Sequence, residues 1–400
     1  MSLTLILLCA PAFLVAAAGL LAGLVFLSAL GMPRVQRGGT VTLILPLTGN
    51  AAGLAALLRA LEAQTLPARR LLICVEDRHD PAYARATQLA GTRSTSSLPI
   101  EILIAGEASD CAQKCCNQIA GLARIDARDE VVVLFDADIV PPPWWLSALA
   151  TPLLDGSADI VTGYRWPLLT GPRSGALPAA PLGAHLAAAI DRGIALLPRL
   201  TVFPVTWGGS LALSPRALEK LDAARLLGST LSDDCSIGAQ AAALGLRVLT
   251  RRALLVPTPA SGGLLALWRF GRRQYQIVRV YRPSLWWLAF LALSSRVTAW
   301  GVLLAHVEHG WARLATLALL VFALLAVLVQ ALVGRRLGTA DPLAMTALQS
   351  VLALCKPLVD VFHWSLTMAA WDTRIIRWGH LAYRVSGPAQ IAVMSRRRWG

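Results

Sequence analysis

The first apolar segment of the chain runs from Leu3 to Leu30 and contains no charged residue. At about 1.5 Å of rise per residue, a helix of this length crosses a hydrocarbon core of roughly 30 Å with some tilt. A secretory signal peptide starts with a positively charged stretch and has a shorter apolar region, and this segment has neither feature. The pattern therefore predicts a retained transmembrane anchor over residues 1–33.

From residue 40 to about residue 255, short apolar runs alternate with amphipathic segments. The pattern predicts strands over 41–47, 69–77, 100–106 and 131–135, and helices over 51–64, 81–90 and 111–124. Such alternation is typical of an α/β domain with a largely parallel, doubly wound sheet. We expect one domain over residues 34–258, with its ligand site at the carboxyl ends of the strands.

Further apolar segments follow in the last third of the chain. Residues 285–305 and 312–333 are each long enough to span a bilayer, and they predict a transmembrane hairpin over 285–334, after an interfacial segment over 259–284. Residues 343–370 carry Lys356, Asp360 and His363, which are costly at membrane depth. For residues 335–400 we expect a re-entrant or interfacial segment and a basic tail; a kinked span with an internal ion pair stays open.

Composition and charge agree with a mixed membrane protein. Hydrophobic residues make up 56% of the chain and charged residues 15%, which is too apolar for an ordinary soluble protein. The net charge of +14 comes from basic residues clustered beside the apolar segments, where they typically meet anionic lipid head groups. We therefore expect a membrane partner and no nucleic acid.

The orientation in the membrane can be predicted from the charges beside the first apolar segment. Arg34 and Arg37 follow this segment, so the positive-inside rule places the middle of the chain in the cytoplasm.

Acidic residues stand directly after two of the predicted strands. Glu76 and Asp77 end one strand, and Asp136 and Asp138 follow the apolar run 131–135. Two carboxylates two residues apart can share one hard cation, and Mg²⁺ or Mn²⁺ prefers such oxygen ligands together with substrate phosphates. The alternative is that Asp136 and Asp138 only cap the turn before the prolines that follow. A D-x-D metal site is favoured because charges beside a buried strand are costly unless used.

Two later segments carry further candidate residues. Gly208 and Gly209 would let the backbone approach a bound ligand closely. Asp233 and Asp234 lie in the first turn of a predicted helix, where acids also favour the helix dipole. One of the two acids could serve only that purpose, and the other is a candidate catalytic base.

Together these segments resemble the ceramide glucosyltransferase family, membrane-bound glycosyltransferases of the GT-A fold. The resemblance runs in collinear order from about residue 40 to 385, and Val280 stands where the family usually has Trp. It is carried by "CVEDRHDPA" (74–82), "FDAD" (135–138), "WGGSLAL" (207–213), "SDDCSIGAQAAALG" (232–245), "RRQYQIVRV" (272–280) and "AAWDTRIIRWGHLAYRV" (369–385). It implies a Rossmann-like, GT-A-type cytoplasmic domain between membrane helices.

The resemblance also implies roles for individual residues. Asp77 matches the acid that binds the uracil of a UDP-sugar, Asp136 opens the motif that binds the metal and the nucleotide sugar, and Asp234 matches the catalytic base. Gln276 and Arg279 match the start of the Q-x-x-R-W motif, which grips the diphosphate and the acceptor side. Asp138 completes a D-x-D that is fuller than in animal members of the family.

The chemistry of glycosyl transfer is compatible with these roles. A metal on Asp136 and Asp138 would neutralise a diphosphate leaving group. A lipid hydroxyl has a pKa far above 7, so Asp234 would have to accept its proton as the new bond forms. A single displacement inverts an α-linked donor into a β-glycoside.

We therefore expect an inverting glycosyltransferase in a bacterial inner membrane that transfers sugar from UDP-glucose to a ceramide-like lipid. On this account Lys356, Asp360 and His363 could line the acceptor entrance. Three alternatives stay open. One is a hopanoid or diacylglycerol glycosyltransferase that uses UDP-N-acetylglucosamine or another donor. The others are a processive polysaccharide synthase and a non-catalytic protein on the same fold.

Overall fold

The computed structural model of the protein describes residues 3–31, 38–93, 98–169, 180–199 and 205–397. The chain divides into two compact units. One, which we call the helical unit, comprises Met1–Leu30, Trp166–Pro198 and Pro259–Thr373; the other, the sheet unit, comprises Gly31–Arg165, Arg199–Thr258 and Arg374–Gly400. Arg34 and Arg37, on which the orientation argument rests, lie outside the described residues.

A seven-stranded sheet forms the centre of the sheet unit. Its strands are β1 (Val41–Pro46), β2 (Arg70–Val75), β3 (Ile100–Ile104), β4 (Val131–Phe135), β5 (Ile160–Leu168), β6 (Ser210–Leu213) and β7 (Val248–Pro259). They lie in the order β3-β2-β1-β4-β6-β5-β7. The GT-A-type α/β class expected from the sequence is confirmed.

The four strands predicted from the sequence are parallel to one another, but the later strands are not all parallel to them. β1 pairs in parallel with β2 and β4, and β2 pairs in parallel with β3. β6 pairs antiparallel with both β4 and β5. The sheet is therefore parallel over β1 to β4 and mixed beyond them. The chain enters β6 from the opposite end of the strands, so β6 runs antiparallel to β4.

Helices pack on both faces of the parallel strands, which explains why these strands are mainly apolar. The helices of the sheet unit are α2 (Leu54–Glu62), α3 (Pro81–Gly91), α4 (Gln113–Leu122), α5 (Trp145–Leu154), α7 (Pro215–Leu221), α8 (Ala223–Leu227) and α9 (Asp233–Ala243). Leu43 and Leu45 share a core with the apolar face of α2. On the other face, a Cβ at Gly121 of α4 would lie 2.6 Å from Ile44 and 3.1 Å from Cys74, so α4 packs very close to the sheet.

The C-terminal residues of the sheet unit form a second, three-stranded antiparallel sheet. Its strands are β8 (Ile375–Trp378), β9 (Leu381–Gly387) and β10 (Gln390–Arg396), in the order β10-β9-β8. Val393 N donates a hydrogen bond of 2.9 Å to Ser109 O, and Gln113 N donates one of 3.1 Å to the Tyr383 hydroxyl. The segment expected to be a basic tail therefore contains a folded sheet that the sequence interpretation did not predict.

The helical unit contains α1 (Leu3–Ser28), α6 (Leu182–Ala195), α10 (Leu264–Tyr281), α11 (Pro283–Ala305), α12 (Gly310–Arg336), α13 (Leu343–Leu354) and α14 (Lys356–Ala369). By length and composition, α1, α11 and α12 can each cross a membrane. Leu7, Leu14 and Leu21 of α1 are exposed, as expected for a helix that faces lipid. α13 and α14 bend by 81° at their junction and form either a broken span or a re-entrant loop.

The polar residues of α14 are paired inside the helical unit. The Asp360 carboxylate accepts hydrogen bonds from Lys356 Nζ at 2.7 Å and from Trp300 Nε1 at 3.0 Å. It also forms an ion pair of 2.5 Å with Arg296 of α11. The internal ion pair considered for this segment is therefore present.

Candidate active site

Acidic residues follow two strands whose carboxyl ends lie at the same edge of the main sheet. β2 and β4 both pair in parallel with β1, so their carboxyl ends lie at the same edge. Asp77 follows β2, and Asp136 and Asp138 follow β4. The sequence prediction that these strand-end acids share an edge of the sheet thus agrees with the topology.

A lysine that the sequence interpretation did not single out links two of the acidic segments. Lys114 Nζ lies 2.7 Å from Asp136 Oδ1 and 3.1 Å from Asp233 Oδ2. Gln118 Nε2 donates a further hydrogen bond of 2.7 Å to Asp233. Burial opposes the charge of Lys114, but the nearby Asp136, Asp233 and Asp234 carboxylates outweigh it and hold the pKa of Lys114 well above its usual value.

Helix α4 supplies this lysine as part of a polar stripe at helical spacing. Gln113 and Asn117 lie one turn apart, as do Lys114 and Gln118, and each of these pairs is on one side of α4. Asn117 Nδ2 donates hydrogen bonds to Leu47 O at 3.3 Å and to Cys74 O at 3.0 Å, which ties α4 to the ends of β1 and β2. Polar residues at i and i+4 in a helix that packs on a sheet are the signal that could have identified Lys114.

Asp234 occupies a different environment from its neighbour Asp233. Its Oδ2 accepts a hydrogen bond of 3.0 Å from Gly208 N, and its Oδ1 accepts one of 2.6 Å from the Ser232 hydroxyl. Burial and then the charge of Asp233 raise the pKa of the Asp234 carboxyl. Asp234 is half-buried, whereas Asp233 is buried.

The two glycines make room for this arrangement. A Cβ at Gly208 would lie 2.7 Å from Lys114 Nζ and 2.8 Å from Asp233 Oδ2, so no other residue fits there without displacing the ion pair. A Cβ at Gly209 would lie 2.2 Å from the ring of Trp207. Both glycines are therefore required by close packing, and Gly208 lies at the centre of the charged group.

Asp77 has local contacts of its own. Its Oδ1 accepts hydrogen bonds from His79 N at 2.6 Å and from Asp80 N at 3.0 Å, and so it orders the loop between β2 and α3. The preceding Glu76 is buried and pairs with His380 at 2.7 Å and with Arg396, both from the C-terminal sheet. The C-terminal sheet thus braces the loop that carries Asp77.

Gln276 and Arg279 belong to the helical unit, on α10. Gln276 Nε2 donates a hydrogen bond of 2.7 Å to Asp372 O, and Arg279 donates one to Trp371 O. The Arg279 guanidinium also lies 4.4 Å from the ring centre of Trp371 and 4.7 Å from that of Trp286. Tryptophans from two other segments therefore flank this arginine, although Val280 replaces the tryptophan of the family motif.

The residues after β4 have the donor atoms that a divalent metal ion prefers. Asp136 and Asp138 offer hard carboxylate oxygens two residues apart, and the Asp136 side chain keeps 34% of its surface exposed. Asp138 is exposed as well. Loss of hydration beside the protein and then the charge of Asp136 raise the pKa of Asp138.

Removal of Lys114 should destabilise the sheet unit. Lys114→Met would leave the Asp233 carboxylate, which is 2% exposed, without its ion-pair partner. Loss of one partner from a buried ion pair costs about 3–5 kcal/mol. Thermal melting of the full chain in detergent should show a lower midpoint for this variant, while Lys220→Met, on the exposed side of α7, should melt as the wild type does.

The double variant Lys114→Met with Asp233→Asn distinguishes charge from packing. It removes both members of the pair, so it should recover part of the lost melting temperature. Equal melting of Lys114→Met and Lys220→Met would contradict the assignment of Lys114 as the counter-ion of Asp233.

Solved structures with similar backbones are distant in sequence. One is the mannosyltransferase PcManGT from Pyrobaculum calidifontis in complex with GDP-Man and Mn²⁺, at 17% identity over 91% of this chain and 97% of that one, with a TM-score of 0.46. Another is glucosyl-3-phosphoglycerate synthase from Mycobacterium tuberculosis in complex with Mn²⁺ and UDP-glucose, at 17% identity over 60% of this chain and 78% of that one, with a TM-score of 0.35. These values do not bear on the donor, acceptor or metal of this protein.

A comparison with curated proteins finds no match. The family comparison is decisive because it covers nearly the whole chain. The model of glycosyl transferase family 21, the ceramide glucosyltransferase family, matches residues 4–391, which include most of both units and every candidate residue named above. The resemblance found in the sequence is confirmed, and the chain is a glycosyltransferase that belongs to family 21.

Proposed function

We propose that this glycosyltransferase transfers a sugar, with inversion, from a UDP-sugar to the hydroxyl group of a membrane lipid. UDP-glucose and a ceramide-like acceptor are the favoured substrates. The observation that carries the proposal is the charged group of Lys114, Asp136, Asp233 and Asp234 around Gly208, at the carboxyl edge of the sheet. The candidate membrane helices of the same chain support a lipid acceptor.

Asp234 is the proposed general base. Asp233 is held by Lys114 and Gln118 and is 1% exposed, so it has little access to an acceptor. Asp234 is more accessible, and its raised pKa makes it a better proton acceptor than an ordinary aspartate. The hydrogen bond from Gly208 N holds the carboxylate in one orientation.

Residues that follow β2 and β4, together with two glycines, are the proposed binding site for the donor. Asp77 is the proposed contact to the uracil, and Gly208 and Gly209 are proposed to lie against the nucleotide sugar. Asp136 and Asp138 would hold Mg²⁺ or Mn²⁺, which when bound supplies positive charge to the diphosphate. Lys114 keeps Asp136 in place before the ion binds.

Gln276 and Arg279 are the proposed contacts to the diphosphate and the acceptor side, as the family motif implies. The two tryptophan rings and the backbone carbonyl of Trp371 hold the Arg279 guanidinium in a fixed position. A guanidinium that is already ordered loses little side-chain entropy when it binds an anion.

The reaction is a single displacement. The lipid hydroxyl oxygen forms a bond to the anomeric carbon while the bond from that carbon to the diphosphate breaks. The hydroxyl proton passes to Asp234, and UDP leaves with the electron pair of the broken bond. Because attack comes from the face opposite the leaving group, an α-linked donor yields a β-glycoside.

Lipid analysis of an expression host tests this proposal. A bacterial host that contains ceramide but no glycolipid should gain a monoglycosylated lipid when it expresses the wild-type chain, and mass spectrometry should detect it. The host that expresses Asp234→Asn should lack this lipid at equal protein level. A polymer in place of the glycolipid would favour a polysaccharide synthase, and an unchanged lipid profile would contradict the proposal.

We infer the membrane topology from the residues that share a unit. Residues 374–400 belong to the same compact unit as Gly31–Arg165, so both lie on one side of the membrane. The Arg336 guanidinium donates a hydrogen bond of 2.5 Å to Leu27 O, so the C-terminal ends of α1 and α12 also lie together. If α11 and α12 cross the membrane out and back, α13 and α14 must enter and leave on the same side. We assign α13 and α14 as a re-entrant pair, with the sheet unit in the cytoplasm of a bacterium.

Labelling of single cysteines checks this topology. In a variant without the native cysteines, Gln390→Cys in β10 should react with a membrane-impermeant maleimide only in inside-out vesicles. His309→Cys, at the tip between α11 and α12, should react only in right-side-out vesicles. Reaction of both cysteines from the same side would contradict the assignment.

A further inference from the structure

The helical unit contains a cavity of about 330 Å³ between its helices. Its walls come mostly from apolar side chains of α1, α6, α11, α12, α13 and α14. This volume falls at the lower end of the roughly 300–1,000 Å³ that ligand pockets occupy. Every residue of the wall belongs to the helical unit, and none of them is an acid of the candidate active site.

A charged cluster lies in one part of the cavity wall. Arg296, Lys356 and Asp360 all line the cavity, and Asp360 pairs with both cations. The Asp360 side chain is fully buried, whereas the Arg296 and Lys356 side chains keep 22% and 25% of their surface exposed. The two cations therefore still have accessible surface after they have bound the carboxylate.

The charges of this cluster do not balance. Among the described residues that line the cavity, Arg296 and Lys356 are basic and Asp360 is a carboxylate, while Tyr275 and His363 bind each other at 2.5 Å. With His363 neutral, the wall carries a net charge of +1. Arg296 lies in the middle of the candidate span α11, where an uncompensated charge is costly. One added negative charge would balance the cluster.

We infer that this cavity binds an anionic phospholipid of the surrounding bilayer. One alkyl chain lies along the apolar wall, where Gly19 of α1 leaves open space, and the phosphate faces Arg296 and Lys356. The apolar wall accounts for a chain and the excess cation accounts for the negative head group. This site is independent of the proposed transfer reaction, and it gives the helical unit a structural lipid.

Native mass spectrometry of the full-length protein in detergent tests this inference. The protein is titrated with dioleoyl phosphatidylglycerol and, separately, with dioleoyl phosphatidylcholine. We expect a single tight site that prefers phosphatidylglycerol by about fivefold, the effect of one lysine or arginine near an anionic lipid. Equal affinity for the two lipids, or tighter binding of phosphatidylcholine, would overturn the proposal.

Two variants locate the site within the cavity. Lys356→Gln leaves Asp360 paired with Arg296 and makes the cluster neutral, so it should abolish the preference for phosphatidylglycerol. Gly19→Leu should weaken binding of both lipids, because the new side chain enters open space in the wall. The matched controls are Arg313→Gln and Gly301→Leu, which are exposed and lie outside the wall, and they should bind as the wild type does.

Each of the two variants can contradict the proposed lipid site independently. If Lys356→Gln keeps the fivefold preference, the cavity cations do not hold the phosphate. If Gly19→Leu binds both lipids as tightly as Gly301→Leu does, the alkyl chain lies elsewhere. The lipid comparison in the wild type needs no variant, so it remains decisive if a substitution prevents folding.

Discussion

Asp234→Asn should lower kcat by about 10²- to 10⁴-fold, the usual cost of removing a general base. The asparagine oxygen can still accept the hydrogen bond from Gly208 N, so the loop and the helix start should keep their structure. Binding of the UDP-sugar, measured by calorimetry, should therefore stay near the wild-type value. Steady-state kinetics with UDP-glucose and a lipid acceptor measure the loss.

Asp233→Asn is the matched control, one residue away. Its carboxylate pairs with Lys114 and Gln118 and faces the interior, so we expect kcat to stay within about tenfold of the wild type. The cost should instead appear as a lower melting temperature, because Lys114 loses one of its two partners. An inactive Asp233→Asn beside an active Asp234→Asn would show that the two roles are exchanged.

Asp136→Asn should abolish both metal binding and transfer. The carboxylate is the partly exposed acid directly after β4, and an amide is a much weaker ligand for a hard cation. Loss of several kcal/mol of charge stabilisation corresponds to a decrease in kcat of about 10³-fold or more. Titration with Mn²⁺, followed by electron paramagnetic resonance, measures the binding separately from activity.

Asp138→Asn should raise the metal concentration needed for half-maximal activity, because Asp136, the acid directly after β4 and the proposed main ligand, remains. Asp155→Asn changes an exposed acid after α5 and should alter neither quantity. Activity of the wild type that persists in excess EDTA would contradict the metal role of Asp136 and Asp138.

The strands that were predicted correctly are those with the simplest environment. β1, β2 and β4 are covered by helices on both faces, so their sequences are mainly apolar, and polar residues mark where β2 and β4 end. That is why the strand-end positions of Asp77 and Asp136 could be read from the sequence. The family resemblance added the roles, which the spacing of the residues alone did not determine.

Other features depend on contacts that no local pattern records. β6 lies antiparallel beside β4, although a long connection separates the two strands in the sequence. The pairing of Lys114 with Asp233 joins two helices that are far apart in the sequence.

The C-terminal sheet was missed for a different reason. Its arginines were read as a basic tail, although apolar and polar residues alternate along β9, where Leu381, Tyr383 and Val385 are buried.

The anomeric configuration of the product tests the central claim most directly. Purified wild-type protein is incubated with UDP-α-glucose, ceramide and Mn²⁺, and the glycolipid is analysed by proton nuclear magnetic resonance. A single displacement with Asp234 as the base predicts a monoglucosyl lipid in which the anomeric proton shows the large coupling constant of a β-glucoside. An α-glucoside would contradict the inverting mechanism, and absence of any glycolipid with ceramide, hopanoid and diacylglycerol acceptors would contradict the proposed function.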